Sequence, residues 1–424
     1  MDFEVKSETA LAADPAVQSK QGLLYVMPQS LSASVNATFI RQQSQRQTYD
    51  AGSTIVFDIN SGSRFVDPDN CALVFDMVTD NGDNDTVYRA FSSNAGATAI
   101  IDEIRIHAKS GVELDRIEHC NQYVFSKSLM KEDSDYFNKY GSLWGMCDPK
   151  TTAANIPDHS KLGTNKRRYI IPMKVISCLF NPIVKGMKLN PSLISGSRIE
   201  IVLAQPGRVF GEAVGGPAAT TYTITDPYIE MMSHELSDNS QRVLNEESVS
   251  SGLEYAYTRV FGVRETSGAS TVNFQIKKAV AQGLRAFCMP ILTGDDSTEG
   301  KNSFTGNLEY QKYQYRVGSM YFPQQKVEGR EEGFYVSQSM YNKHRTSGWY
   351  SNVLSMDTYK ELQPIMGAGL ERDATLNLTG IPINNSNTLT LEATTAAATN
   401  YNYYLFLEYV AVARSFISNV EVKF

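Results

Sequence analysis

A chain of 424 residues and 47.1 kDa is longer than one hydrophobic core usually organises, roughly 250–300 residues, so two or more cores are expected. Hydrophobic residues at 42% and charged residues at 20% place it among globular proteins, and 23 Tyr with 19 Phe lean towards sheet. The net charge of −7 argues against non-specific attraction to nucleic acid or anionic membrane.

The N-terminus is polar and acidic: residues 1–22 hold Asp2, Glu4, Glu8 and Asp14 against Lys6 and Lys20. A secretory leader needs a basic and then an apolar stretch, so export by a signal peptide is not expected. Residues 1–35, rich in Ala, Ser and Gln, read as an extended arm. Strand patterns follow. In "STIVFDIN" (53–60) Ile55, Phe57 and Ile59 share a face, and in "CALVFDMV" (71–78) Leu73, Phe75 and Met77 do. A polar loop, 79–98, leads to "IDEIRIHAKSGVELDRI" (101–117), a hairpin that turns at Lys109-Ser110-Gly111. Ile117, Cys120 and Val124 then predict a short helix to about Lys131.

Beyond the loop 132–166 come "RRYIIPM" (167–173), an apolar stretch at 177–189, and "GSRIEIVLAQPG" (196–207), with Ile199, Ile201 and Leu203 on one face. "TYTITDPYIEMM" (221–232) precedes a polar, helix-compatible connector at 236–251. A second strand series then begins: 253–263, 270–276, 284–291, 313–322, 374–383, 387–393 and the run from Tyr403 to Phe424. Residues 334–366 between them read as part helical. The longest apolar run, "YYLFLEYVAVA" (403–413), is half a membrane span and contains Glu408, so it reads as a buried strand. Two matched strand series imply two packed β-sandwiches.

Chemistry is sparse by comparison. No GxxxxGK[ST], HExxH, CxxC or GxSxG occurs. His107, His119, His159, His234 and His344 are scattered beyond metal-ligand spacing, so no zinc site is expected. Asp80, Asp83 and Asp85 in "DNGDND" lack the downstream bidentate Glu of a calcium loop and read as a solvated turn, as does "GDDSTEG" (294–300). Lys166-Arg167-Arg168 reads as a charged strand edge, and Trp144 and Trp349 as loop-packing side chains. Cys71, Cys120, Cys147, Cys178 and Cys288, odd in number and widely spaced, read as reduced thiols. Catalytic residues, cofactors and metal ligands are therefore all expected to be absent.

Four passages in order carry a resemblance: "GSTIVFDINSGSRFVDPDNCALVFDM" (52–77), "AIIDEIRIHAKSGVELDRIEHCNQY" (99–123), "CLFNPIVKGMKLNPSLISGSRIEIVLAQ" (178–205) and "YTITDPYIEMMSHEL" (222–236). The chain resembles the double jelly-roll major capsid proteins of tailless icosahedral DNA viruses, above all those of virophages and polinton-like viruses. The first passage matches two strands joined by an aspartate-proline turn. The resemblance implies an all-β chain of two consecutive eight-stranded antiparallel jelly rolls with short helical insertions and long loops. Its divisions would be an arm at 1–37, a first jelly roll at 38–232, a linker with a short helix at 233–252, and a second jelly roll at 253–424. It further implies a homotrimer of pseudo-hexagonal outline in a virion shell, with penton and minor capsid proteins as partners and a membrane or genome beneath. No sequence-specific nucleic-acid binding is implied. The loops 79–98, 132–166, 292–309 and 345–372 would face outward. A lectin-like carbohydrate-binding sandwich is the alternative, and a glycosidase, which would need a convergent carboxylate pair, is the third class.

Overall fold

The computed structural model describes residues 34–424 apart from 84, 185, 217–218, 251, 297–307, 343–352, 362–363, 372–379 and 417–418. Trp349, His344, most of the arm and the middle of the 292–309 loop lie outside the described residues. Beside the short strands Thr48–Asp50, Tyr88–Phe91 and Phe210–Val214, eight strands among the described residues build the first barrel: β1 Ser34–Gln43, β2 Thr54–Asp58, β3 Phe65–Thr79, β4 Ile101–His107, β5 Glu113–Glu118, β6 Arg167–Pro172, β7 Arg198–Leu203 and β8 Tyr222–Leu236. They pair antiparallel in two sheets of spatial order β1-β8-β3-β6 and β2-β7-β4-β5.

The second half repeats the pattern with β9 Leu253–Ser267, β10 Thr271–Ile276, β11 Val280–Leu292, β12 Tyr310–Val317, β13 Met320–Glu328, β14 Met366–Gly369, β15 Leu389–Thr395 and β16 Tyr401–Ser415. Its sheets run β9-β16-β11-β14 and β10-β15-β12-β13. In each half the first strand lies beside the eighth and the second beside the seventh. That order, twice in one chain, is the double jelly roll.

Helices occupy equivalent places in both halves. α1 (Cys120–Lys131) follows β5, the fifth strand of the first barrel. α2 (Asp238–Ser250) connects the barrels, and α3 (Gly329–Asn342) follows β13, the fifth strand of the second. α1 and α3 touch each other. Because successive strands reverse direction, connections after odd-numbered strands of each barrel gather at one end. The long connections 80–100 and 119–166, and 293–309 and 329–365, follow the third and fifth strands of their barrels. These four define the loop end of each barrel; the tight turns 108–112, 277–279 and 318–319 lie at the opposite end, the base, with the longer connection 173–197.

Three details of the strand reading are corrected. The Asp67-Pro68 pair is no turn between strands; it lies inside β3. Cys71 opposes Met231 and Asp67 opposes Met232, so residues 68–70 bulge out of the ladder. Pro68 has no N–H to donate there, and the Asp67 carboxylate accepts from the Asp69 N–H and the Asn70 side chain. The stretch read as one strand at 313–322 is a hairpin, β12 and β13, which turns at Gly318 with φ +59°. The apolar stretch 177–189 is a loop buried only towards its ends: Cys178, Leu179, Phe180 and Leu189 pack inward and Val184 is exposed, while Pro182 and Leu189 make single bridges to Tyr257 and Val66. The loop drawn at 345–372 also overshoots into β14.

Candidate functional site: the seam between the barrels

The apolar run of β16 is explained by burial on both faces. Tyr403, Leu405, Leu407 and Tyr409 point into the second barrel's own core. Tyr404 and Phe406, at the alternate positions, join the large core of the first half, with Phe287, Met289 and Ile291 of the neighbouring β11. A strand buried on both sides loses the apolar–polar alternation that a half-exposed strand shows. Tyr123 of α1 packs on Phe287 and Phe406, with ring centroids 6.1 and 5.5 Å away.

Glu408 falls on this seam face with its side chain 1% exposed. Its Oε1 accepts from the Tyr123 and Tyr341 hydroxyls, each at 2.7 Å, and its Oε2 accepts from Arg285 at 3.2 Å. Lys127 stands 3.5 Å from Oε1. Burial alone would raise this carboxyl; Lys127, Arg285 and the two hydroxyls outweigh it and hold the pKa at about 2. The carboxylate thus ties α1 of the first barrel and α3 of the second to the β16 wall.

A second knot lies at the loop end. Asp296, with its side chain fully buried, accepts from Asn402 and Tyr404 at 2.7 Å each and faces Arg208 at 3.4 Å and Arg264 at 3.3 Å. Arg208 also reaches Asp102 at 3.3 Å, and His119 stacks edge-on against Tyr404. Arg208, Asp102 and His119 come from the first barrel, so the root of the 293–309 connection is fastened across the seam. Deeper in, fully buried Asp115 accepts from the Ser177 hydroxyl and from the Cys178 and Leu179 N–H groups, while burial raises its pKa.

Backbone also meets backbone here. Ile183 donates its N–H to Ala256 of β9, and the Tyr255 and Tyr257 hydroxyls donate to the Leu179 and Leu114 carbonyls. Gly262 makes the approach of β9 to β5 feasible, because a Cβ there would sit 2.9 Å from the Glu118 carbonyl oxygen.

The residues weighed for chemistry from sequence are dispersed. Among the described residues no three His, Cys, Asp or Glu side chains gather to hold a metal. Asp83 accepts the N–H groups of Asp85, Thr86 and Val87 and so organises its own turn, whereas Asp80 accepts those of Thr220 and Thr221 and ties its turn to the start of β8. Arg168 forms a two-pronged pair with Asp76 at 2.8 and 3.0 Å, and Lys166 joins it at 2.9 Å, on the edge strand β6. Trp144 is fully buried, edge-on to Tyr136 and Tyr140. His107 is partly exposed on β4, His159 faces the Met146 carbonyl, and His234 lies 3.8 Å from Asp67. All five cysteines are buried and unbridged, and burial raises each thiol's pKa. No helix among the described residues is long and apolar enough to cross a membrane. Sequence reasoning missed Asp115, and its reading of 294–300 as a solvated turn is corrected at Asp296, whose buried carboxylate is held by Asn402 and Tyr404; only Glu408, a lone charge in an apolar run, left a signal.

The geometry defines a double jelly roll whose halves share a buried, charge-laced seam. That fold is found in major capsid proteins. The PBCV-1 virus capsid structure aligns with TM-score 0.61 at 10% identity, over 92% of this chain and 97% of that one. The Faustovirus major capsid protein aligns with TM-score 0.61 at 6% identity, over 95% and 94%. The mavirus major capsid protein aligns with TM-score 0.50 at 13% identity, over 100% and 96%. No family model and no curated protein matches the sequence.

Proposed function

We propose that the protein is a major capsid protein, a non-catalytic building block that trimerises into pseudo-hexagonal capsomers and tiles an icosahedral virus shell. The observation that carries this is the jelly-roll order repeated in both halves, over a length that solved capsid proteins share almost end to end. The divisions are the arm 1–37, barrels 38–232 and 253–424, and linker 233–252, with β1 and β8 of the first barrel running past its bounds to Ser34 and Leu236. Edge strands support self-association: Phe39 on β1 is 59% exposed, and Met320 and Tyr321 on β13 are 41% and 43% exposed. Unpaired edges with large apolar side chains invite cover by another copy.

On this reading the protein resides in the virion. Its partners are itself, neighbouring capsomers, and penton and minor capsid proteins, with a membrane or genome under the shell and no sequence-specific contact to nucleic acid. It needs no cofactor. No observation at the seam or the loop end favours the lectin-like alternative. Negative-stain images and light scattering of purified protein test the proposal. Trimeric particles of hexagonal outline are expected; a stable monomer at micromolar concentration overturns it.

A further inference from the structure

At the base, between β5 and β9, a recess of about 100 Å³ is lined by Glu113, Arg116, Glu118, Arg259, Lys278 and Tyr409. Lys278 belongs to the short turn between β10 and β11, on the end opposite the long loops. Its charges can be balanced one by one. Arg116 pairs with Glu103 at 2.7 Å and with Glu118 at 2.5 Å. Arg259, 3% exposed, pairs with Glu113 at 2.6 Å. Lys278 pairs with no carboxylate among the described residues. Its ammonium instead lies over the rings of Phe261, Tyr409 and Phe424, at 5.8, 5.9 and 4.9 Å from their centroids.

Such ring contacts are weaker than an ion pair, and the one carboxylate that acts on this ammonium, Glu113, is already engaged by Arg259. Burial first, and then the neighbouring Arg259, push this ammonium below the usual lysine range. A half-buried cation beside a second cation is a poor resting arrangement unless an anion completes it. Two further orphans lie just behind: the buried Nε and Nη1 of Arg259 have no hydrogen-bond acceptor.

We propose that this recess binds one orthophosphate or phosphomonoester group, with Lys278 as its principal cation. The volume suits a single tetrahedral oxyanion and not a nucleotide or a sugar. The mixed lining selects for phosphate over a carboxylate ligand. Orthophosphate, or a phosphomonoester that takes up a proton on binding (its second pKa is about 6), can donate a P–OH to Glu113 or Glu118 while its other oxygens accept from Lys278, whereas an ionised carboxylate can only accept. A phosphodiester lacks that hydroxyl and is disfavoured. The same group could arrive as free phosphate or as the headgroup of phosphatidic acid. No bond is made or broken.

The experiment uses the purified full chain at neutral pH, assembled or not, so it stands apart from the capsid reading. Inorganic phosphate is titrated against potassium chloride of equal ionic strength, with binding read by calorimetry and by melting temperature. Wild type and the exposed-lysine control Lys150→Ala should bind phosphate alike. Lys278→Met should bind at least tenfold more weakly, and Lys278→Arg, which keeps the cation, should recover most of the affinity. Vesicles containing phosphatidic acid should retain wild type and release K278M if the headgroup is the source, while phosphatidylglycerol vesicles should retain neither. Equal phosphate binding by wild type and K278M, or binding of phosphate by neither wild type nor K278R, overturns the proposal.

Discussion

Replacing Glu408 isolates the electrostatics of the seam. Glu408→Gln leaves Lys127 without its carboxylate and Arg285 with only Glu371, 3.7 Å away; removing one partner of a buried pair costs about 3–5 kcal/mol. Urea unfolding should show that loss, and an unchanged midpoint would contradict the role given to this residue. The acid limb carries its own sign. The folded pKa of about 2 lies below the ordinary carboxylate value of roughly 4.3, so the stabilisation is complete above that value. It is lost as pH falls towards 2. Wild type should therefore lose stability over that window while E408Q follows a flatter curve. Gly262 offers a steric counterpart. Gly262→Ala forces a Cβ against the Glu118 carbonyl and should cost about 1–3 kcal/mol in the same assay. Gly294→Ala, where a Cβ meets nothing within 4 Å, should be neutral.

Single elements are specified by register and by which faces are covered. β7 sits between β2 and β4, and its Ile199, Ile201 and Leu203 are almost fully buried. One residue inserted after Ile201 turns Leu203 outward and breaks both ladders at once. One inserted at the hairpin tip after Ser110 enters an exposed turn, where nothing lies within 4 Å of a Cβ at Gly111. The tip variant should express soluble with an unchanged far-UV spectrum, and the β7 variant should be insoluble. The reverse result would mean that inside and outside of this sheet have been exchanged.

At the scale of the whole molecule, the barrels are not independent units. The larger apolar core takes in Tyr255, Tyr257, Phe287, Met289, Tyr404 and Phe406 from the second half alongside Tyr123 and Leu179 from the first. Parting the barrels would expose these rings together with the charges of Glu408 and Asp296. Calorimetry should accordingly give one cooperative transition for the full chain, and two well-separated transitions would refute the shared core.

Alternation of apolar residues was enough to place β2, β4, β7 and most of β8, because each has one wet face and one dry face. The spacing of Cys120 and Val124 likewise placed α1 up to Lys131, although Ile117, counted with them, belongs to β5; the polar run at 236–251 placed α2. What sequence by itself left undecided involves pairs distant along the chain. The bulge at Pro68 depends on which strand lies opposite. The partners of Asp115, Asp296 and Lys278 come from segments 62, 106 and 146 residues away. A lone acid in an apolar run marks burial, yet only the packed barrels decide whether Tyr123, Tyr341, Arg285 and Lys127 stand around it. Periodicity is local and legible; electrostatic complementarity across a seam exists only after the two barrels have met.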